Sequence, residues 1–173
     1  QAYGAFGRQM ANYWLHNGWL VFDGEKMSKS LGNNVLVTDL EAKNIAPLAL
    51  RYLFLNSHYR TGLNFTWEAL VNAQSSLKKL HEKVLALKSN PKQGSTLTER
   101  EFLEAINNDL NMPQALAAAW QTESFESLLK MDKVLGLGLG EVKSEKFKVP
   151  KEAQALIDQR EKLRKEKKFS EAD

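Results

Sequence analysis

A long amphipathic pattern between Thr66 and Lys88 restricts the fold more than any other feature of the sequence. Its apolar residues recur every three to four positions, as Trp67, Leu70, Val71, Leu77, Leu80, Val84 and Leu87. A helix of this length needs other helices to cover its apolar stripe. Short links near residues 90–95 and 107–111 separate the helical patterns that follow, which is typical of antiparallel neighbours. The sequence therefore predicts a mainly α fold containing a helical bundle.

The other predicted elements depend on periodicity, caps and breakers. Residues 1–17 are predicted to form an amphipathic helix, and residues 19–22 a short strand. Two pairs have the spacing of a capping box and predict helix starts, namely Thr38 with Glu41 and Thr98 with Glu101. Prolines and glycines predict the remaining boundaries, with helices over about 47–57 and about 123–135, and others opening near Pro113 and Pro150.

Composition excludes several classes of protein. The chain has 173 residues, a formal net charge of +3 and no cysteine. It can bury one core, but it has no disulfide framework and no thiolate site. It contains neither a run of eighteen apolar residues nor a signal-peptide pattern, so no membrane partner is expected. The mildly basic charge permits a nucleic-acid partner without requiring one. Because the sequence opens on Gln1, we expect a piece of a longer protein.

Residues 23–33, called the lysine loop below, fit neither a core element nor an ordinary turn. The segment holds Lys26-Met27-Ser28-Lys29-Ser30 between Gly24 and Gly32. Two ammonium groups, two hydroxyls and backbone amides can together bind a polyphosphate, and the flanking glycines would let the segment bend. Lysine- and serine-rich loops are also common as solvated surface loops. The five central residues, however, form a motif that seldom arises by chance.

Basic residues outside the lysine loop are candidates for nucleic-acid contacts. Arg51 lies on the helix predicted after Pro47, and Tyr59 and Arg60 follow the end of that helix. A basic cluster between residues 160 and 168 includes Arg160 and Arg164. Such residues can bind RNA phosphates, yet they are often salt-bridged or solvated instead. The residues alone leave both interpretations open.

The pentapeptide at residues 26–30 resembles the KMSKS signature loop of class I aminoacyl-tRNA synthetases. The motifs around it are similar in order and spacing to the cysteinyl-tRNA synthetase family, over residues 13–18, 24–33, 48–52, 57–60, 107–116, 134–137 and 159–168. The resemblance implies the carboxy-terminal part of an enzyme that joins cysteine to ATP as cysteinyl-adenylate and then transfers it to tRNA(Cys). By itself, such a piece is expected to be inactive.

The resemblance also implies roles for individual residues. Lys26 and Lys29 would be catalytic, stabilising the departing pyrophosphate. Further ATP contacts would come from Trp19, Val21, Met27, Ser28 and Ser30, and tRNA contacts from Arg51, Tyr59, Arg60, Arg160 and Arg164. The implied cofactors are ATP with Mg²⁺, and Zn²⁺ whose ligands lie outside this chain, so no metal ligand is assigned here. A cytoplasmic monomer is expected.

The same resemblance divides the chain into four regions. Residues 1–34 would end a Rossmann-type catalytic domain with its last helix, a short strand and the KMSKS loop, and residues 35–62 would be linker helices that contact the tRNA stem. Residues 63–140 would form the helical bundle named for its DALR motif, and residues 141–173 would begin a truncated tRNA-binding region. Leu48 stands where that motif has its acid, and the link from Gln121 to Phe125 is shorter than the family usually has.

Three other functions fit parts of the pattern. One is the related ligase that joins cysteine to an amino sugar in mycothiol assembly, which has no need of a tRNA-binding bundle. Another is a different class I synthetase, such as the methionyl enzyme. The third is a helical RNA-binding module without catalysis, for which salt-dependent tRNA binding independent of ATP is expected.

Overall fold

A computed structural model describes residues 2–28, 32–91 and 96–142. The described elements are α1 (Ala2–Phe6), β1 (Leu20–Phe22), β2 (Glu25–Lys26), α2 (Val37–Ala42), α3 (Pro47–Leu55), β3 (Leu63–Phe65), α4 (Trp67–Ser89), α5 (Thr96–Asn107), α6 (Met112–Gln121), α7 (Phe125–Leu135) and a 3₁₀ turn (Leu139–Glu141). Predictions made for Lys29, Ser30, Arg160, Arg164 and the helix from Pro150 fall outside these ranges. No helix within them is long and apolar enough to cross a membrane.

Helix α4 packs its apolar stripe against other helices, as the long amphipathic pattern predicts. It buries Leu70, Leu77, Leu80 and Val84, while Val71 is half exposed. Helix α3 packs along α4, α5 packs against α6, and α7 contacts α4, α5 and α6. Full burial of one such side chain contributes roughly 1.5–3 kcal/mol, so each member of this row adds to the apolar stabilisation of the bundle. The mainly helical fold is confirmed.

Side-chain caps, a proline and a glycine mark several helix boundaries. The Thr66 hydroxyl accepts a hydrogen bond from the Ala69 amide at 3.0 Å, and the Asn111 side chain accepts one from the Gln114 amide at 3.3 Å. Pro47 opens α3, and Gly136 ends α7 in the left-handed conformation with φ of 63°. These contacts satisfy backbone groups that the ends of helices leave without intrahelical partners.

A three-stranded sheet lies beside the helices in the order β2-β1-β3. Strands β1 and β2 form an antiparallel hairpin, and β3 pairs in parallel with β1. In this register Val21 stands between Lys26 on one side and Asn64 on the other. Only β1 was predicted; β2 and β3 are too short to show the alternation that identifies strands.

The predicted helix over residues 1–17 is wrong beyond α1. Helix α1 ends at Phe6, and Gly7 follows with φ of 62°. The apolar stripe that suggested a helix is exposed, with Met10 at 73% and Tyr13 at 93% of their accessible surface. A short helix without a packing partner is marginal in water. The helical spacing of apolar residues in this segment is therefore not enough to form a helix.

Both predicted capping boxes are also wrong, although helices lie at both places. Thr38 lies inside α2, where the Asp39 carboxylate accepts a hydrogen bond from the Leu36 amide at 2.7 Å. Thr98 lies inside α5, is buried, and donates its hydroxyl proton to the Thr122 hydroxyl at 3.3 Å. A neighbouring acid thus caps α2, and at α5 the Thr98 hydroxyl makes a tertiary contact instead of a cap.

Candidate functional site

The start of the lysine loop is held by the sheet. Residues 23 and 24 turn the hairpin, with φ of 48° at Asp23 and 82° at Gly24. The Gly24 amide donates to Asn64 Oδ1 at 2.8 Å, and the Asp23 amide donates to the Phe65 carbonyl at 3.1 Å. Strand β3 therefore fixes the turn that leads into Lys26. No sequence pattern pointed to the role of Asn64, because β3 itself was not recognised.

Three of the residues predicted to contact a nucleotide lie around one cleft. Trp19, Val21 and Lys26, with Leu20, line an open depression of about 310 Å³. The Lys26 ammonium lies 5.8 Å from the centre of the Trp19 ring, whose side chain is 79% exposed. An exposed ammonium beside an accessible indole can attract a phosphate and offer a stacking surface for a base.

Met27 and Ser28 follow β2 within the lysine loop and are half buried. The Ser28 amide donates to Asn33 Oδ1 at 2.8 Å, and Asn33 Nδ2 donates to the Lys26 carbonyl at 3.1 Å. Asn33 thus connects the far end of the loop to its beginning. It belongs to the motif at residues 24–33, but no role for it was predicted.

Strand β1 is joined to the segment after α3 by a close backbone approach at Gly18. The Gly18 amide donates to the Tyr59 carbonyl at 2.7 Å, and the Leu63 amide donates to the Trp19 carbonyl at 3.0 Å. A Cβ atom at position 18 would stand 2.4 Å from the Thr61 carbonyl oxygen. Real Cβ atoms do not approach this closely, so the junction requires glycine.

Tyr59 and Arg60 converge on Asp109 instead of pointing freely to solvent. The Tyr59 hydroxyl donates to Asp109 Oδ1 at 2.6 Å, while Arg60 Nε and Nη2 donate to the two carboxylate oxygens at 2.6 and 3.2 Å. His58 stacks on the Tyr59 ring with 4.9 Å between ring centres, and the Arg60 guanidinium lies 5.2 Å from that ring. The cluster joins the segment after α3 to the corner between α5 and α6.

The Asp109 carboxylate is held strongly in its charged form. The hydrogen bonds from Arg60 and Tyr59 lower the pKa of Asp109 from 3.8 to about 2. Because the folded pKa lies below the unfolded value, any stabilisation from this contact is present above pH 3.8 and is lost as the pH falls towards 2. Asp109 and Leu110 both have φ of 54°, a strained conformation for residues with a Cβ. No sequence pattern indicated this acid as the partner of Arg60.

Arg51 contacts a different element. Its side chain lies against Gly136 at the C-terminal end of α7, so close that a Cβ at position 136 would stand 2.3 Å from Arg51 Nη1. A cation beside the C-terminal end of a helix is favourable because that end carries partial negative charge. The structure therefore does not bring Arg51 into the Asp109 cluster with Tyr59 and Arg60.

Replacing Gly136 with alanine is expected to lower the free energy of unfolding by about 1–2 kcal/mol, since a Cβ is disfavoured in the left-handed conformation. The Arg51 guanidinium would also have to move. Thermal unfolding of the variant measures the effect. Gly140→Ala is the matched control, because its Cβ would meet only Leu129 at an ordinary 3.5 Å. Equal melting temperatures for the two variants would contradict the prediction.

Comparisons with known proteins agree with the resemblance. The family model described as "tRNA synthetases class I (C) catalytic domain" matches residues 1–75. A protein of Burkholderia lata named cysteine–tRNA ligase 1 is 38% identical over 182 residues, an alignment that covers 100% of this chain and 38% of that protein. The chain belongs to the cysteinyl-tRNA synthetase family.

Other relatives in the cysteinyl-tRNA synthetase family also match most of this chain over only part of their own length. The cysteine–tRNA ligase of Chlamydia felis is 33% identical over 195 residues, covering 96% of this chain and 40% of the relative. That of Brachyspira hyodysenteriae is 42% identical over 123 residues, covering 65% of this chain and 26% of the relative. The chain thus spans well under half the length of each of these relatives.

Proposed function

We propose that the chain is part of a cysteine–tRNA ligase and supplies the loop that stabilises pyrophosphate during activation of cysteine. One observation carries the proposal: the Lys26 ammonium shares a cleft with Trp19 and Val21, at the base of the family's signature loop. The membership of the family and the alignment over the whole chain with the Burkholderia lata ligase support it.

In the proposed reaction, a carboxylate oxygen of cysteine attacks the α-phosphate of ATP. A new bond forms between that oxygen and phosphorus, and the bond to the β-phosphate oxygen breaks, so pyrophosphate leaves with the bonding electrons. Negative charge grows on the leaving group, and the ammonium groups of Lys26 and Lys29 neutralise it, which is electrostatic catalysis. A hydroxyl of the terminal adenosine of tRNA(Cys) then attacks the cysteinyl carbonyl and displaces AMP.

The remaining ATP contacts are proposed from sequence and position together. The loop continues beyond Lys26 with Met27, Ser28, Lys29 and Ser30. Val21 on β1 and Trp19 just before that strand would face the nucleotide. Small hydroxyls and backbone amides next to two ammonium groups suit a polyphosphate. The linker helices at residues 35–62 and the bundle at residues 63–140 would contact the tRNA, in a cytoplasmic monomeric enzyme.

The proposed tRNA contacts differ in how they are engaged. Arg60 and Tyr59 donate hydrogen bonds to Asp109. An RNA phosphate would therefore have to compete with the Asp109 carboxylate for these donors, or share them with it. Arg51 packs at the end of α7. We therefore assign Arg51 and Arg60 roles in shaping the surface as well as in binding, and leave Arg160 and Arg164, in the basic cluster, as direct electrostatic contacts.

Metal ions implied by the family do not find a ligand set in these residues. Across the described ranges, no three histidine, aspartate or glutamate side chains lie close enough together to hold an ion. The chain also has no cysteine, the softest zinc ligand among side chains. A zinc site takes three or four protein ligands, so a zinc ion of the enzyme would need ligands from outside the described residues.

A hybrid ligase tests the proposal. In it, the segment of the Burkholderia lata ligase that aligns with this chain is replaced by residues 1–173. We expect cysteine-dependent exchange of pyrophosphate into ATP and charging of tRNA(Cys), each within about tenfold of the parent, because the alignment covers the whole segment. Exchange without charging of tRNA, but with transfer to an amino sugar, would support the mycothiol-type ligase instead. A stable hybrid that binds tRNA but catalyses no exchange would refute the catalytic role.

A further inference from the structure

The carboxamide of Asn33 holds two separate parts of the lysine loop. Its Oδ1 accepts a hydrogen bond from the Ser28 amide at 2.8 Å, and its Nδ2 donates to the Lys26 carbonyl at 3.1 Å. Both partners are backbone groups, so the contacts restrain the main chain of the loop at Lys26 and Ser28. Asn33 is half buried, whereas its neighbour Asn34 is exposed.

The position of these two hydrogen bonds is significant because regular pairing ends at Lys26. Up to that residue, β2 is held by β1, with Lys26 opposite Val21. Beyond it, Asn33 bonds to the main chain on both sides of Met27. The backbone from which the Lys26 side chain projects is therefore fixed by a strand on one side and by Asn33 on the other.

We propose that Asn33 is a positioning residue, which sets the direction of the Lys26 ammonium towards the cleft beside Trp19. The inference rests on the proposed function and extends it to a residue that touches no substrate. An amide is needed because one side chain must accept from an N–H and donate to a carbonyl at once. Asparagine meets both demands, while aspartate can only accept when ionised, and alanine can do neither.

The substitutions Asn33→Ala and Asn33→Asp test the proposal in the hybrid ligase. Asn33→Ala is expected to slow pyrophosphate exchange at saturating substrate by about tenfold to a hundredfold, since displacing a catalytic group by about 1 Å can cost that much. Asn33→Asp keeps the acceptor for the Ser28 amide but sets an oxygen against the Lys26 carbonyl, so it should also be slow. The KM for cysteine should stay unchanged.

Two controls separate positioning from general damage. Asn34→Ala and Asn34→Asp make the same chemical changes one residue away at an exposed site, and they should leave exchange within about twofold of the parent. In a Lys26→Ala background, adding Asn33→Ala should cause little further loss, because residues that act as one unit are not additive. A purely structural role for Asn33 would give the full loss in either background.

The hydrogen bonds can also be tested on the 173-residue chain without any activity. Asn33→Ala should speed exchange of the Ser28 amide hydrogen with solvent at least tenfold, whereas Asn34→Ala should not. If a stable hybrid ligase catalyses no pyrophosphate exchange, the proposed function fails. A different outcome is an active ligase in which Asn33→Ala matches Asn34→Ala both in hydrogen exchange of the Ser28 amide and in the rate of pyrophosphate exchange. In that case the positioning role fails and the proposed function stands.

Discussion

Replacing Lys29 with alanine in the hybrid ligase is expected to slow formation of cysteinyl-adenylate by about 30-fold to 1,000-fold. The loss corresponds to about 2–4 kcal/mol of transition-state stabilisation, the range for removing one preorganised donor to developing charge. The lysine acts on the leaving pyrophosphate, so the rate of pyrophosphate exchange should fall while the KM for cysteine barely changes. Stopped-flow or pyrophosphate-exchange assays at saturating cysteine measure the rate of adenylate formation.

A matched lysine provides the control for this prediction. Lys78 is exposed on α4, away from the lysine loop in the sequence, so Lys78→Ala removes the same charge without touching the signature motif. It should leave the rate within about twofold of the parent. If Lys29→Ala exchanged pyrophosphate at the parent rate, Lys29 would have no role in the reaction. An equal loss for both variants would point to net charge instead of position.

Replacing Gly18 with alanine is expected to have the largest effect on structure. The new Cβ would stand 2.4 Å from the Thr61 carbonyl oxygen and 2.8 Å from the Gly62 amide nitrogen. Both are backbone atoms, so β1 must separate from β3 and strain the hydrogen bonds beside the junction. Overpacking of this kind costs about 1–3 kcal/mol, occasionally more. The melting temperature of the 173-residue chain should fall by about 2–4 °C for each kcal/mol.

The same change should also reduce activity, because Gly18 directly precedes Trp19 and the strand β1 that carries Val21, and both residues line the cleft. In the hybrid ligase we expect pyrophosphate exchange to fall at least tenfold, the cost of moving a site by about 1 Å. Gly4→Ala is the control, since no atom lies within 4 Å of the Cβ it would add. An unchanged melting temperature for Gly18→Ala would show that the close approach is not maintained in solution.

Much of the helical core could be predicted because its signals are local. The stripe of α4, the prolines that open α3 and α6 and the glycine that ends α7 each specify structure within a few residues. The pentapeptide identified the lysine loop for the same reason. Trp19, Val21 and Lys26 were each predicted to contact ATP, but the cleft that they share was not predicted. The pairing of Val21 with Lys26 between β1 and β2 brings these residues together.

The features that the sequence did not predict depend on contacts between residues far apart in the chain. Strand β3 pairs with β1 across some forty residues, and a three-residue strand has no recognisable period. Asp109 lies 49 residues from Arg60 along the chain, so no local spacing joins them. In residues 1–17 the sequence predicted a helix that is not there beyond α1. The apolar residues of that segment have clear helical spacing, but no other part of the described chain buries them.

The direct passage from β3 into α4 has a mechanical consequence. Phe65 ends the strand, Thr66 caps the helix and Trp67 begins it, so no flexible linker separates the sheet from a helix of 23 residues. Such a helix is about 35 Å long. A macromolecule that presses on its distal end would apply leverage to the strand beside β1, and through it could tilt the hairpin on which Lys26 is mounted.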